Sequence, residues 1–254
     1  MGAVSPAWAS NFGVRAFTTT REGGHSNGPF HSLNLSAQID DDDIAVARNQ
    51  QRCLAQHGLP HLPRWLRQVH GTRIIDATEL KYSFEIEADA VYTNVGNQIC
   101  GILTADCLPI VLCNDSATEV AAIHAGWRGL LDGIIQSSVR KFSTPAVRLF
   151  AWIGPGISRA AYIVGAEFRT RFLDDDLAFE SAFRYVNDHW HADLYTIAER
   201  RLQNLGVTNV SRYEGCTFDE PERFYSYRRD GVTGRMATLV WFEDRDPRVD
   251  HQTI

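Results

Sequence analysis

Four short apolar segments follow one another in the middle of the chain, at residues 88–93, 99–103, 109–113 and 119–123. Asn, Gly and Asp residues, which favour turns, separate these segments. Two later segments, 147–153 and 235–242, have the same apolar character. The pattern predicts consecutive β-strands, and therefore a sheet at the centre of the fold.

Helices are predicted around these strands. Residues 43–58 start with an acidic residue, carry apolar side chains at helical spacing and end at a glycine. A second helix follows His124, where the apolar residues between 130 and 142 fall on one face, and a third covers residues 193–205. Strands in succession with flanking helices predict an α+β fold with a mixed sheet rather than a regular doubly wound fold.

The chain of 254 residues shows no repeat, low-complexity tract or linker, so residues 1–254 are interpreted as one domain. Its formal charge of −6 and the lack of a Lys/Arg cluster argue against nucleic acid as a partner. Neither a signal peptide nor a long apolar stretch is present, which argues against secretion and a membrane partner. Five cysteines without a CxxC pair indicate reduced thiols. We expect a cytoplasmic monomer.

Three residues with metal-binding side chains, His70, Cys107 and His124, fall at predicted strand ends or turns. Pro109 favours extended backbone just after Cys107, which places the thiol at the start of a strand. Two imidazoles and one thiolate suit zinc and leave a fourth coordination position for water or substrate. Their spacing matches no short metal motif, however. A buried cysteine and two hydrogen-bonded turn histidines would produce the same pattern.

The segment after His124, Ala-Gly-Trp-Arg-Gly, is a glycine-rich turn that leads into the second predicted helix. Unpaired amides at the start of that helix could hold an anion beside the metal, and phosphate is the natural candidate. Arg128 lies in this turn and could add a bidentate contact, although most such arginines simply lie at the surface.

Eight short motifs are spread over nearly the whole chain: TTTREGG at 18–24, SLNL at 32–35, QVHG at 68–71, ADA at 88–90, TADCLP at 104–109, AIHAGWRG at 122–129, GPGI at 154–157 and FYSYRRD at 224–230. In combination they resemble the YfiH-type purine nucleoside phosphorylase family, also called the laccase-domain or multicopper polyphenol oxidase family. Some of its bacterial members are connected with the editing of peptidoglycan precursors.

This resemblance implies a fold, a metal and a set of reactions. The fold is a mixed β-sandwich core flanked by helices. His70, Cys107 and His124 would bind zinc, with copper as the alternative metal. The substrates would be purine nucleosides and phosphate. The activities implied are phosphorolysis of adenosine, inosine, guanosine or methylthioadenosine and deamination of adenosine.

Further residues receive roles as hypotheses. Deamination requires a carboxylate that carries a proton, and Asp106 is the candidate; stabilising a turn or orienting a histidine is its alternative role. Phosphorolysis requires phosphate to be held while a cation-like transition state forms. This assigns anion binding to Arg128 and to Arg21 or Arg229. The aromatic residues of segment 224–227 could stack on a purine base or pack within a strand.

Three other functions remain open from the sequence. A metal-free cysteine hydrolase would use Cys107 as nucleophile and His124 as base. A copper-dependent polyphenol oxidase would need many histidines, commonly in HxH pairs. His189-Trp190-His191 has this form and is interpreted as a surface loop. The third possibility is a non-catalytic protein that binds nucleosides or a partner.

Overall fold

The computed structural model describes residues 2–9 and 13–244, which form three β-sheets with helices around them. The strands of this part are β1 Ala3–Val4, β2 Val14–Thr19, β3 Ile74–Asp76, β4 Ala90–Thr93, β5 Cys100–Thr104, β6 Leu108–Asn114, β7 Val120–Ala125, β8 Leu149–Ile153, β9 Ile163–Val164, β10 Phe183–Val186, β11 His189–Ala192, β12 Asn209–Arg212 and β13 Met236–Phe242. The α-helices are α1 Asp43–His57, α2 Trp127–Asp132, α3 Ile134–Val139, α4 Ala166–Asp175, α5 Leu194–Asn204 and α6 Tyr227–Asp230.

Two of the sheets pack face to face. One is antiparallel, with strand order β1-β2-β13-β5, and the other has the order β12-β8-β6-β7-β4-β3. The six-stranded sheet is mixed, because its two outermost pairs are parallel and its inner pairs antiparallel. Apolar side chains of β5 and β13 fill the space against those of β4, β6 and β7. The burial of this shared layer is the main force that holds the two sheets together.

Helices cover the outer faces of this sandwich. The apolar sides of α2, α3 and α5 pack on the six-stranded sheet, and α1 contributes Cys53 to the cluster that covers the four-stranded sheet. The predicted α+β class, with a mixed sandwich core flanked by helices, is confirmed. In the described part of the chain, none of the helices is both long enough and apolar enough to span a membrane.

Most predicted elements are observed within two residues of their predicted ends. The Asp42 side chain accepts hydrogen bonds from the first amides of α1, and Gly58 ends this helix in the left-handed region at φ 60°. The single helix predicted after His124 is wrong. Gly133, at φ 103°, interrupts it and separates α2 from α3. Because α2 has only six residues, it has little of the dipole assumed for an anion site at its start.

The order of the strands in the sheets differs from their order along the chain. Strands β4, β6 and β7 lie side by side in the six-stranded sheet, whereas β5, which lies between β4 and β6 in the chain, belongs to the opposite sheet. Every residue of these four strands is buried. Strands buried on both faces show no polar alternation, so their sequences do not indicate which sheet each one joins.

The interpretation of His189-Trp190-His191 as a surface loop is wrong. These residues form most of β11, the central strand of a three-stranded antiparallel sheet with order β10-β11-β9. The Trp190 ring packs on Tyr185 of β10 at a centroid distance of 5.1 Å. Within the described ranges, these two histidines are not part of a group of three or more metal-binding side chains.

A buried carboxylate, Glu119, fastens the turn between β6 and β7. Its oxygens accept hydrogen bonds from the Tyr92 hydroxyl at 2.6 Å, the Ser143 amide at 2.7 Å and the Thr144 amide at 3.0 Å. Burial opposes the ionisation of Glu119, but the hydrogen bonds from Thr144, Tyr92 and Ser143 outweigh it and hold the carboxyl pKa below its ordinary value. The turn and the segment after α3 are thereby tied to the sheet.

We expect Glu119→Gln to lower the free energy of unfolding by about 2–4 kcal/mol at pH 7, because its amide NH₂ would face donors that now meet a carboxylate. The pKa of Glu119 is lower in the folded than in the unfolded chain. The stabilisation is therefore complete above the unfolded pKa and is lost as the pH falls through the folded value. Denaturant unfolding from pH 7 to pH 3 measures the effect. Exposed Glu85→Gln is the control, and equal stability of the two variants at pH 7 would contradict the prediction.

Candidate metal centre

Adjacent strands β6 and β7 bring Cys107 and His124 together. In this antiparallel pair Pro109 lies opposite His124, and Leu108 lies opposite Ala125. Cys107 directly precedes β6 and is therefore next to the end of β7. Because side chains alternate along a strand, His124 takes the face of β7 that packs toward the other sheet. The imidazole is buried, and Cys107 is partly exposed.

His70 completes a group of three donor atoms. It lies in the loop that precedes β3, and its Nε2 atom is 3.8 Å from Cys107 Sγ. The rings of His70 and His124 have centroids 4.7 Å apart and are nearly perpendicular. One ligand atom from each of the three residues lies within 4.8 Å of the other two. The structure therefore brings together the three residues that the sequence singled out.

The backbone of His70 has an unusual conformation that Asp89 stabilises. Its φ of 60° lies in the left-handed region, which non-glycine residues seldom adopt. The Asp89 carboxylate accepts hydrogen bonds from the amides of Val69, His70 and Gly71 at 3.2, 2.9 and 2.7 Å. Three amides that converge on one carboxylate compensate for a backbone strain of order 1–3 kcal/mol.

Asp89 also orients His124. Its Oδ1 lies 2.8 Å from His124 Nδ1. When Nδ1 donates to this oxygen, Nε2 keeps its lone pair for a metal. Burial opposes the ionisation of Asp89, but the interactions with His124 and with the amides of Gly71 and Val69 outweigh it and lower its pKa. One carboxylate therefore fixes both histidines of the group.

Sequence reasoning did not assign a role to Asp89. The available signal was an acidic residue, flanked by alanines, at the start of an apolar strand segment. A buried acid in such a place needs donors or a positive partner, and this requirement marks it as part of a site.

The three donors also change one another's pKa. Burial raises the pKa of the Cys107 thiol, but the interactions with His124 and His70 outweigh burial and lower the pKa to about 6. Burial lowers the pKa of His124, but Asp89 and Cys107 outweigh burial and raise it to about 9. Cys107 is thus in an environment that favours the thiolate, the form that binds metals.

Gly126 provides the space in which the ligands meet. A Cβ atom at this position would lie 2.7 Å from Cδ2 of His70 and 3.3 Å from Sγ of Cys107. The φ of Gly126 is −68°, which any residue can adopt, so the need for glycine is steric. A side chain here would displace the His70 ring from the group.

A cavity of about 420 Å³ lies beside the three residues. Gln68, Thr104, Tyr227 and Arg235 form part of its wall. Gln68 exchanges two hydrogen bonds of 2.8 Å with the main chain of Leu103, and this exchange attaches the His70 loop to β5. The volume falls within the range of roughly 300–1,000 Å³ that is typical of small-molecule sites.

Asp106 anchors a turn behind the cavity. Its carboxylate accepts hydrogen bonds from the hydroxyls of Thr217 at 2.6 Å and Ser226 at 3.0 Å, and from the Arg228 amide at 2.7 Å. Asp106 has a φ of 86° and does not line the cavity. Its carboxylate holds the start of α6, the helix that carries Tyr227.

None of the three arginines considered for phosphate binding lines the cavity. Arg21 and Arg229 donate hydrogen bonds to main-chain carbonyl groups of neighbouring loops, and Arg229 also pairs with Asp230 at 2.8 Å. Arg128 is exposed, with its guanidinium 4.3 Å from the ring of Trp127. Arg235, which sequence reasoning did not consider, lines the cavity instead.

The chemistry of the three donors fits a zinc ion. Two imidazoles and a thiolate of low pKa form a borderline-soft set, and three protein ligands leave one position open toward the cavity. Asp89 supplies the carboxylate that a metal-bound histidine usually meets through its second nitrogen. This arrangement is suited to a metal that takes part in a reaction rather than one that only stabilises the fold.

Comparison with known proteins shows a family and a closely similar fold. The family model described as multi-copper polyphenol oxidoreductase laccase matches residues 15–243. The chain is 44% identical over 247 residues to a Haemophilus influenzae protein named purine nucleoside phosphorylase, covering 96% of this chain and 100% of the relative. It is 42% identical over 238 residues to the Escherichia coli protein named purine nucleoside phosphorylase YfiH, covering 94% and 98%.

Solved structures agree with this result. A Neisseria meningitidis protein superposes with a TM-score of 0.87 at 38% identity, covering 94% of this chain and 96% of the other. YlmD from Geobacillus stearothermophilus superposes with a TM-score of 0.86 at 28% identity, covering 96% and 97%. The fold is therefore shared over nearly the full length of each chain.

We expect Asp89→Asn to weaken zinc binding about 10- to 100-fold, because the amide NH₂ would face donors and no longer orient both histidines. Competition with a chromophoric chelator measures the zinc affinity. The matched control is Asp115→Asn, since Asp115 pairs with Arg148 at the surface. Wild-type affinity in Asp89→Asn would show that the carboxylate does not position the ligands.

We expect Gly126→Ala to lower zinc occupancy at least about tenfold under chelator competition while the chain remains folded, because the new Cβ would displace His70. Elemental analysis and circular dichroism measure the two quantities. Gly165→Ala is the control, since a Cβ there meets nothing within 4 Å. Full zinc occupancy in Gly126→Ala would contradict the steric explanation.

Proposed function

The chain belongs to the multi-copper polyphenol oxidoreductase laccase family, and within this family we propose that it is a zinc-dependent purine nucleoside phosphorylase. The observation that carries the proposal is the group of His70, Cys107 and His124, with donor atoms within 4.8 Å, beside a cavity of small-molecule size. Relatives named for this activity align over nearly the whole chain, which supports it.

Phosphorolysis makes specific demands on this cavity. The bond between C1′ of the ribose and the purine nitrogen breaks, and a phosphate oxygen forms the new bond to C1′. The electron pair of the broken bond leaves with the purine, which takes up a proton. The site must hold the nucleoside and phosphate in contact and stabilise the developing charges. A zinc ion held by the three residues would supply Lewis acidity toward an oxygen atom.

Tyr227 provides the surface for the purine. Its side chain lines the cavity and is 61% exposed, whereas Phe224 and Tyr225 of the same aromatic segment are fully buried. A free aromatic face at a small-molecule cavity is suited to stacking on a base. Asp106 supports this residue by holding the first turn of α6.

The proposal includes a choice of substrates. Adenosine, inosine, guanosine and methylthioadenosine share the purine and the C1′–nitrogen bond on which phosphorolysis acts. Deamination of adenosine would use the same open coordination position to activate water. Asp106 remains the candidate proton carrier for that reaction, although its oxygens already accept three hydrogen bonds. The substrates and the five free thiols agree with a cytoplasmic location.

One observation favours a second candidate, a metal-free cysteine hydrolase. Interactions with His124, the base expected from the sequence, and with His70, whose Nε2 lies 3.8 Å from Sγ, lower the pKa of the Cys107 thiol to about 6, which favours a nucleophile. The copper-dependent polyphenol oxidase considered from the sequence would need many histidines, commonly in HxH pairs, and the metal content together with oxidation activity distinguishes it from the phosphorylase.

The test combines metal analysis with turnover. Protein purified without chelators should contain about one zinc per chain and release hypoxanthine from inosine, or adenine from adenosine, when phosphate is present. Cys107→Ala should lose the zinc and reduce turnover at least about 100-fold. The control is Cys53→Ala, a buried cysteine of α1 outside the group.

Each other outcome selects a different function. Full zinc in Cys107→Ala with loss of activity would assign Cys107 as a nucleophile. Copper in the purified protein together with oxidation of phenols would favour the oxidase. No metal and no nucleoside turnover in the wild type would overturn the phosphorylase proposal.

A further inference from the structure

The cavity beside the three candidate ligands is built for an anion. Among the described residues that line it, none is acidic, and Arg235 supplies a permanent positive charge. Asp89, which bonds to both histidines of the group, and Asp106, which precedes Cys107, do not line the cavity and are occupied by hydrogen bonds. A negatively charged ligand would therefore meet Arg235 without competition from a carboxylate, and a zinc ion held by the three ligands would neutralise the Cys107 thiolate.

The guanidinium of Arg235 is held by hydrogen bonds at one of its nitrogens, while its other two nitrogens have donors that protein groups do not use within the described residues. Its Nη1 donates to the carbonyl groups of Thr233 and Gly234 at 2.8 and 3.0 Å. Within the described part of the chain, neither Nε nor Nη2 of Arg235 makes a hydrogen bond, and no carboxylate pairs with it. This differs from Arg229, whose Nε and both terminal nitrogens have protein acceptors. Arg235 presents one edge of its planar fork, the geometry that binds phosphate bidentately.

The main chain around Arg235 is also held in place. Its amide donates to Asn34 Oδ1 at 3.0 Å, and its carbonyl accepts a hydrogen bond from Leu35 at 3.3 Å. Asn34 is fully buried, and its side-chain amide donates to the carbonyl of Ser36, another cavity residue. The arginine is therefore placed before any ligand arrives, which reduces the entropic cost of binding.

A second observation points to a ligand at the same place. Thr104 lines the cavity, is only 1% exposed, and its hydroxyl has no hydrogen-bond partner within the described residues. Buried polar atoms are nearly always paired, and this covered hydroxyl is an unused donor that rotation of the Thr104 side chain would turn toward a ligand in the cavity. Thr104 lies opposite Met236 in the β5–β13 pair, directly beside Arg235. Arg235 and Thr104 thus line the same cavity at one end of the β5–β13 pair.

We propose that Arg235 and Thr104 form the subsite that binds the phosphate co-substrate. The inference rests on the proposed phosphorylase function and assigns the phosphate role to Arg235 rather than to Arg128, Arg21 or Arg229. The Arg235 fork binds two phosphate oxygens, and the Thr104 hydroxyl, once its side chain rotates toward the cavity, donates to a third. Phosphate held on this wall faces the nucleoside and the metal ligands across the same cavity.

The test compares phosphate dependence with metal content. Arg235→Gln should raise the KM for phosphate about 10- to 100-fold in inosine phosphorolysis, with zinc content unchanged. Arg235→Lys should recover part of this loss because it keeps the charge without the fork. Thr104→Val should raise the KM for phosphate about threefold to tenfold without lowering Tm, since the hydroxyl has no partner to lose. Arg128→Gln and the exposed Arg52→Gln of α1 are the comparison variants.

Direct binding separates this inference from the proposed function. Titration of inorganic phosphate into the zinc-loaded wild type and Arg235→Gln, followed by calorimetry, needs no turnover. An unchanged phosphate KM in Arg235→Gln, with normal wild-type activity, would overturn the subsite and leave the function intact. A raised KM in Arg128→Gln alone would assign phosphate to Arg128 and overturn it likewise. Phosphate binding that requires Arg235, without nucleoside turnover, would support the subsite and overturn the phosphorylase function.

Discussion

The candidate site depends on one buried carboxylate. Asp89 accepts hydrogen bonds from three consecutive amides of the His70 loop and also interacts with His124 Nδ1. Without it, the left-handed backbone of His70 would lose its main compensation, and the His124 ring would lose its fixed orientation. A buried negative charge is stable here only because so many donors converge on it. The groups that compensate for burying this charge are therefore the same groups whose positions determine where the two histidines lie.

The sequence predicted the parts of the fold that depend on local patterns. Strands β4 to β8, α1 and α5 follow from apolar segments, caps and turn residues, and the grouping of the three candidate ligands follows from their residue types and from family motifs. Assignment of β5 to the opposite sheet was not predictable, because a fully buried strand has no polar face. The β11 strand was missed because its residues resemble an exposed polar segment. Its partners lie on β9 and β10, which the sequence did not reveal.

The four arginines near the motifs show why residue chemistry alone did not single out Arg235, the residue proposed here to bind phosphate. Arg21, Arg128, Arg229 and Arg235 all belong to short motifs or lie close to one, and each has a side chain suited to phosphate. What separates them is the partner that each guanidinium meets: carbonyl groups for Arg21 and Arg229, an indole ring for Arg128, and an open cavity for Arg235. Such partners come from loops distant in sequence, so only the folded chain distinguishes the four residues.

The site combines a rigid half and a half built from loops. Cys107 and His124 are fixed by the buried pair β6 and β7, whereas His70, Tyr227 and Arg235 lie outside the strands. Each of these three is attached through a polar side chain that bonds to main chain: Asp89 for His70, Asp106 for the α6 turn and Asn34 for Arg235. Because these anchors are separate, a loop can change its cavity side chain while the ligand pair on the sheet stays in place. For the proposed phosphorylase, this architecture would allow the nucleoside preference to vary independently of metal binding.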